Sequence, residues 1–127
     1  MKTFIVDTHT LVWFVSRDPR LSDKARTILR DPNVRLIIPV IVLAEIKYLA
    51  HKDRLARTLD EVLQVINRDP RCTIYPIDPN VVNKAPLGLD INDSLIVGTA
   101  LVQREAVTGI LTRDEAIASS GLVPTAW

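Results

Sequence analysis

Four acidic residues of this sequence stand against apolar neighbours. Asp7 ends the run "FIV", Glu45 interrupts "IIPVIVLAEI", Asp93 precedes "SLIVGTA", and Asp114 comes two residues after "TGILT". Carboxylates gathered within a few ångströms of one another cannot all stay ionised unaided. They share protons, as paired acids do, or they hold a cation. Hard oxygen ligands with no nearby Cys or His pair suit Mg²⁺ or Mn²⁺ rather than zinc. Magnesium keeps several waters and takes a couple of carboxylates plus phosphate oxygens. One such metal activates water, and a second about 3.5–4 Å away steadies a leaving oxygen. The chemistry is phosphodiester hydrolysis, provided that the acids meet.

The elements that carry them decide this. Residues 3–6 ("TFIV") are apolar and β-branched, and read as a strand buried on both faces. "THTLVWFVS" (8–16) follows as a helix with Thr8 as N-cap. Ser22 caps a helix over "DKARTILR", "LII" (36–38) is a second strand, and a helix begins near Pro39 and runs through "IVLAEIKYLAHK". Residues 56–68 give another helix and "CTIYPI" (72–77) a third strand, ended by "DPN". Residues 85–92 read as loop, "DSLIVGTALVQRE" as helix, "AVTGILT" (106–112) as strand, "RDEAIASS" as a short helix and "LVPTA" as a weak edge strand. Strands alternating with helices predict an α/β fold, a three-layer α/β/α sandwich with a central parallel sheet of four to five strands. Ligands of such sheets bind outside the carboxyl ends of the strands. Asp7, Glu45, Asp93 and Asp114 all fall near those ends, separated by 38, 48 and 21 residues.

Each acid also has a plainer use. Asp7 can cap the helix beginning at Thr8, and Asp93 and Asp114 can favour helix N-termini. Asp90 can take the place of Asp93. Glu45 can turn outward beside Tyr48 and Lys52, although an unpaired charge is rarely buried because its desolvation costs several kcal/mol. Taken singly, the plain uses are as good as the chemical one. Four independent caps, however, need not share one edge.

The rest of the composition sets bounds. At 127 residues the chain is expected to be one domain, 1–127, since a domain takes about 100–200 residues. Cys72 is the only cysteine, which excludes an intrachain disulfide and fits a reducing cytoplasm. The longest apolar run, "LIIPVIVLA", has nine residues including a proline, against about 20 for a membrane-spanning helix. Asp7 and His9 likewise cut the apolar start too early for a signal peptide. Net charge is +1. Setting four of the 15 acids aside leaves 11 against 16 Lys and Arg, a remaining surface near +5.

The same residues carry a resemblance. "IVDTHTLVW", "PVIVLAEI", "INDSLIVGTAL" and "GILTRDEAI" follow one another in the order and spacing of PIN-domain proteins, and the sequence looks like the VapC-type toxin ribonucleases of toxin–antitoxin pairs. The likeness spans nearly the whole chain. It implies a Mg²⁺-dependent endoribonuclease, Mn²⁺ substituting, with metal and catalysis carried by Asp7, Glu45, Asp93 and Asp114. Thr112 matches a supporting hydroxyl residue. It further implies an RNA substrate, a homodimer, inhibition by a VapB-like antitoxin in a larger assembly, and no membrane. His9 recurs in one branch of the family and reads here as structural. Asp90, three residues before Asp93, leaves the third acid open between them, Asp93 being favoured because it directly precedes the helical pattern.

On this reading water attacks an RNA phosphorus in line, leaving a 5′-phosphate and a 3′-hydroxyl. Arg17, Arg20, Lys47, Arg54 and Arg113 are candidate phosphate contacts, although long basic side chains are usually just solvated. The alternative is a catalytically inactive PIN-like module that binds RNA or protein. A phosphoacceptor domain fits poorly, because only Asp7 stands at the first strand end and no lysine follows Lys84. Trp13 and Phe14 read as core, and Trp127, harder to bury at a terminus, as a modest pointer to an interface.

Overall fold

Two-sided burial of the first strand organises the whole chain. In the computed structural model, which describes residues 1–127, β1 (Lys2–Val6) buries Phe4, Ile5 and Val6 almost completely. It can do so because it has neighbours on both edges, β2 (Val34–Pro39) and β4 (Gly109–Leu111). Ile5 pairs with Ile37 on one side and Ile110 on the other. The outer strands are β3 (Cys72–Tyr75) beside β2 and β5 (Thr125–Ala126) beside β4. All four pairings are parallel, and the strand order is β3-β2-β1-β4-β5. Helices flank this sheet in a three-layer α/β/α sandwich, as the alternation of elements predicts.

The chain runs outward from β1 to β2 and β3, then returns to add β4 on the other side of β1. The order of connection therefore reverses between β1 and β4. In open parallel sheets the crevice beyond the strand ends at such a reversal is where ligands bind.

The helices are α1 (Thr8–Ser16), α2 (Asp23–Arg30), α3 (Val40–His51), α4 (Leu59–Asn67), α5 (Pro79–Lys84), α6 (Ile91–Leu101) and α7 (Glu115–Ser120). Five differ from the sequence expectation, two of them by starting later: α4 at Leu59 instead of 56, and α7 at Glu115 instead of 113 because Asp114 is its N-cap. The N-cap of α1 is Asp7, not Thr8, because the Asp7 carboxylate accepts the Thr10 amide. α6 begins two residues earlier than expected and stops at Leu101, with Asp90 as N-cap, so Asp93 lies in its first turn rather than at its start. α5 was not anticipated. It is only six residues long, too short to show a period, yet Asp78 caps it through the Val81 amide and Pro79 opens it.

Twenty-five buried residues form one core cluster. Gly98 of α6 lets α5 approach closely: a Cβ there would stand 2.6 Å from the Val81 carbonyl oxygen and 3.1 Å from Ala85 backbone atoms. Trp127 does not stand free. It is half-buried and meets Trp13 edge-on with ring centroids 5.7 Å apart. No helix is long and apolar enough to cross a membrane.

Candidate functional site

Asp7 is the most constrained of the four acids. It follows β1 directly, and its amide donates to the Leu111 carbonyl at the end of β4. The Thr10 hydroxyl donates to the same carbonyl at 2.9 Å, pinning α1 to β4. Asp7 Oδ1 accepts the Thr10 amide at 3.0 Å, and Oδ2 accepts the hydroxyl of Thr112. The residue is 8% exposed. Burial pushes its carboxyl above the ordinary carboxylate range, opposed by the hydrogen bonds from Thr10 and Thr112 and by nearby His9.

Thr112 links two acids. Besides donating to Asp7, its hydroxyl accepts the Asp114 amide at 2.9 Å. Asp114 is the N-cap of α7, where Oδ1 accepts the amides of Ala116 and Ile117. Its Oδ2 takes part in neither bond.

Glu45 lies in the middle of α3 and is half-buried. It turns neither to Tyr48 nor to Lys52, which pair with each other, the Lys52 ammonium 4.3 Å from the Tyr48 ring centre. Its Oε2 accepts from the Asn92 side-chain amide of α6 at 2.7 Å. Asn92 thus ties α3 to α6 beside Asp93, a role the sequence reading missed. Its only signal was an amide directly preceding the third acid.

Asp93 registers the crowding. Its pKa is raised from 3.8 to about 7, first by burial, then by the charges of Asp114, Asp90 and Glu45 and a hydrogen bond with Asp90. Asp90 caps α6 through the Asp93 amide at 2.9 Å. Asp90 is thus the cap of α6, and Asp93, in its first turn, is the one of the two whose ionisation burial and its neighbours oppose.

Thr112 thus links Asp7 to Asp114, Asn92 holds Glu45, and the charges of Asp114 and Glu45 act on Asp93. No three His, Cys, Asp or Glu side chains form a ready-made metal cage. The donor set still suits Mg²⁺, which needs only one or two carboxylates and fills its remaining positions with water.

Beside the acids opens a cavity of about 280 Å³ whose lining includes Asp7, Asp114, His9, Trp13, Arg20 and Arg113. Of the five basic residues singled out from the sequence, Arg20 and Arg113 line it. Arg17, Lys47 and Arg54 do not, and Arg17 ends α1 in a left-handed conformation. His9 is exposed and tilted against Trp13, with ring centroids 5.6 Å apart.

Comparison with known proteins adds the following. A family model described as PIN domain matches residues 4–120. No curated protein matches the chain. Among solved structures, the chain is similar to one of VapBC2 from Rickettsia felis bound to a DNA fragment from their promoter. The TM-score is 0.68 at 18% sequence identity, covering 98% of this chain and 97% of that one.

Proposed function

The chain belongs to the PIN domain family, and from that premise we propose that it is a Mg²⁺-dependent endoribonuclease, the toxin of a toxin–antitoxin pair, with Mn²⁺ able to substitute. The observation that carries this reading is geometric: Thr112 joins Asp7 to Asp114, and Asn92 of α6 holds Glu45 next to Asp93, whose pKa is raised by burial and then by its acidic neighbours. Acids from distant parts of the sequence oppose one another's ionisation at one strand-end edge, and opposite charge relieves that.

Asp7, Glu45, Asp93 and Asp114 are the residues that would hold the cation. When bound there, a divalent cation lowers the pKa of water and offsets charge on the phosphoryl oxygens. The chain's own contribution is orientation. Thr10 and Thr112 hold the two oxygens of Asp7 from opposite elements. Asn92 fixes one oxygen of Glu45 and leaves the other available. Asp93, in the first turn of α6, would add a carboxylate beside the Glu45 that Asn92 orients. Water rather than a ribose hydroxyl is the nucleophile, so the products carry a 5′-phosphate and a 3′-hydroxyl.

A VapB-like antitoxin is the proposed partner, supported by the likeness to the VapBC2 structure. A homodimer that enlarges with the antitoxin is proposed with it, and light scattering of the toxin alone and of the pair tests both. Cleavage is tested with purified protein and RNA. Activity in Mg²⁺ that is lost in EDTA and in Asp7→Asn supports the reading, and equal cleavage in either case refutes it. The lack of a preformed three-acid cage favours one competitor, an inactive RNA- or protein-binding module. Metal binding by calorimetry without turnover of any RNA would favour that module.

A further inference from the structure

Arg113 sits between Thr112 and Asp114, so its backbone is fixed where the acids converge. Its guanidinium lies 4.6 Å from the centre of the Trp13 ring, and that of Arg20 lies 4.9 Å from it. The two arginines are not equivalent. Arg20 is held by Asp18 through both carboxylate oxygens, at 3.0 and 2.7 Å, and its charge is largely answered. Arg113 makes no ion pair and no side-chain hydrogen bond. Its five N–H donors are all unspent.

Trp13 is 5% exposed, so it cannot serve as a stacking surface for a base. Its ring acts instead as a platform for guanidinium groups. Cation–π attraction orients the plane of an arginine without using its donors. The result is an oriented, unsatisfied cation on the rim of a cavity that Asp7 and Asp114 also line. That cavity, about 280 Å³, has room for a phosphate-sized group, and its lining joins the two arginines to Asp7 and Asp114.

We propose that Arg113, steadied on Trp13, grips the phosphate of a nucleotide next to the scissile bond, while Arg20, held by Asp18, braces the same ring. This rests on the nuclease reading and adds what seats the strand. The polyanion is drawn to an acidic centre that would otherwise repel it. A guanidinium matches two phosphate oxygens at once, which an ammonium cannot do.

The test uses fluorescence anisotropy of a labelled single-stranded oligouridine over a salt series, with Ca²⁺ replacing Mg²⁺ and the strand checked to be intact. Arg113→Gln is expected to weaken binding about tenfold, the range for one hydrogen-bonded charge. It is also expected to flatten the log–log salt slope by about 0.7, one phosphate contact on a single strand. In Mg²⁺ the same variant raises KM and leaves kcat within about twofold, since a flanking phosphate is held equally in ground and transition states. Arg113→Lys keeps the salt slope but binds more weakly than wild type, and it carries the test if the Gln variant melts early. Arg68→Gln, which removes an exposed cation at the end of α4, changes neither quantity. Wild-type affinity and slope in Arg113→Gln overturn the subsite. If Asp7→Asn still abolishes cleavage in that case, the nuclease reading survives. A wild-type protein that neither binds nor cleaves RNA overturns both.

Discussion

The Thr112 hydroxyl donates to the Asp7 carboxylate and accepts the Asp114 amide, so one side chain sets the distance between the first and fourth acids. Residues that orient metal-binding carboxylates typically matter about 10–100-fold for metal affinity or activity. Thr112→Val is therefore expected to lower cleavage by about that factor and to raise the Mg²⁺ concentration needed for half-maximal rate. Thr112→Ser, which keeps the hydroxyl, should retain most of the activity. Equal loss in both variants would assign Thr112 a packing role only.

Asp93 predicts how metal-free stability depends on pH. Its folded pKa, about 7, lies above the ordinary 3.8, so the folded state resists losing this proton. Stability from this group is fully present below about pH 4 and is lost as pH rises through 7. In EDTA, melting temperature is expected to fall between pH 5 and pH 8, and Asp93→Asn should melt above wild type at pH 8 but not at pH 4. Burial raises Asp7 in the same direction, so part of the fall remains in the variant. Mg²⁺ should restore wild-type stability more at pH 8 than at pH 5, because protons compete with it. A pH-independent difference between the two proteins would contradict the crowding of Asp93.

Asn92 holds Glu45 at 2.7 Å across the gap between α3 and α6. With Asn92→Ala, Glu45 loses its only side-chain partner and can swing away from Asp93. The expected loss of activity lies within about 10–100-fold, and more Mg²⁺ should recover part of it. A loss that no Mg²⁺ concentration relieves would mean that Asn92 acts on the substrate instead.

The parallel sheet and its helices were legible because β1 and β2 are largely apolar and β-branched and alternate with segments of helical pattern. Helix ends were less legible. Asp7 was weighed as either a cap or a ligand, but a carboxylate has two oxygens, and Asp7, Asp90 and Asp114 all cap helices. For Asp7 and Asp114 the plain use and the proposed one are compatible, since capping amides fix the carboxylate that the site needs. The pairing of Asn92 with Glu45 spans 47 residues and depends on how α3 and α6 pack, which no local pattern carries. The same holds for Arg113 and Arg20 on Trp13, which read from sequence as two solvated cations and a core aromatic.

Gly98 gives a test of how α6 is seated. Alanine would gain about 1 kcal/mol of helix propensity over glycine. Its Cβ, however, would stand 2.6 Å from the Val81 carbonyl oxygen, a backbone atom of α5 that cannot rotate aside. Overpacking of this kind costs about 1–3 kcal/mol or more. The clash should win, so Gly98→Ala lowers the urea midpoint at unchanged m-value. A raised midpoint would show that α5 yields freely.

Thr8 offers the opposite sign. Its Oγ1 is the one buried side-chain oxygen or nitrogen without a hydrogen-bond partner, and the residue is 3% exposed. Leaving a buried hydroxyl unsatisfied costs about 1–3 kcal/mol. Valine has nearly the same shape and no such group. It gives up a little helix propensity, a few tenths of a kcal/mol at most. Thr8→Val is therefore expected to be neutral or to stabilise the protein by up to about 1 kcal/mol, read from urea unfolding in EDTA. Because the hydroxyl makes no hydrogen bond to Asp7 or Thr112, cleavage should be unchanged. Destabilisation by more than that amount would mean that the Thr8 hydroxyl has a partner in solution.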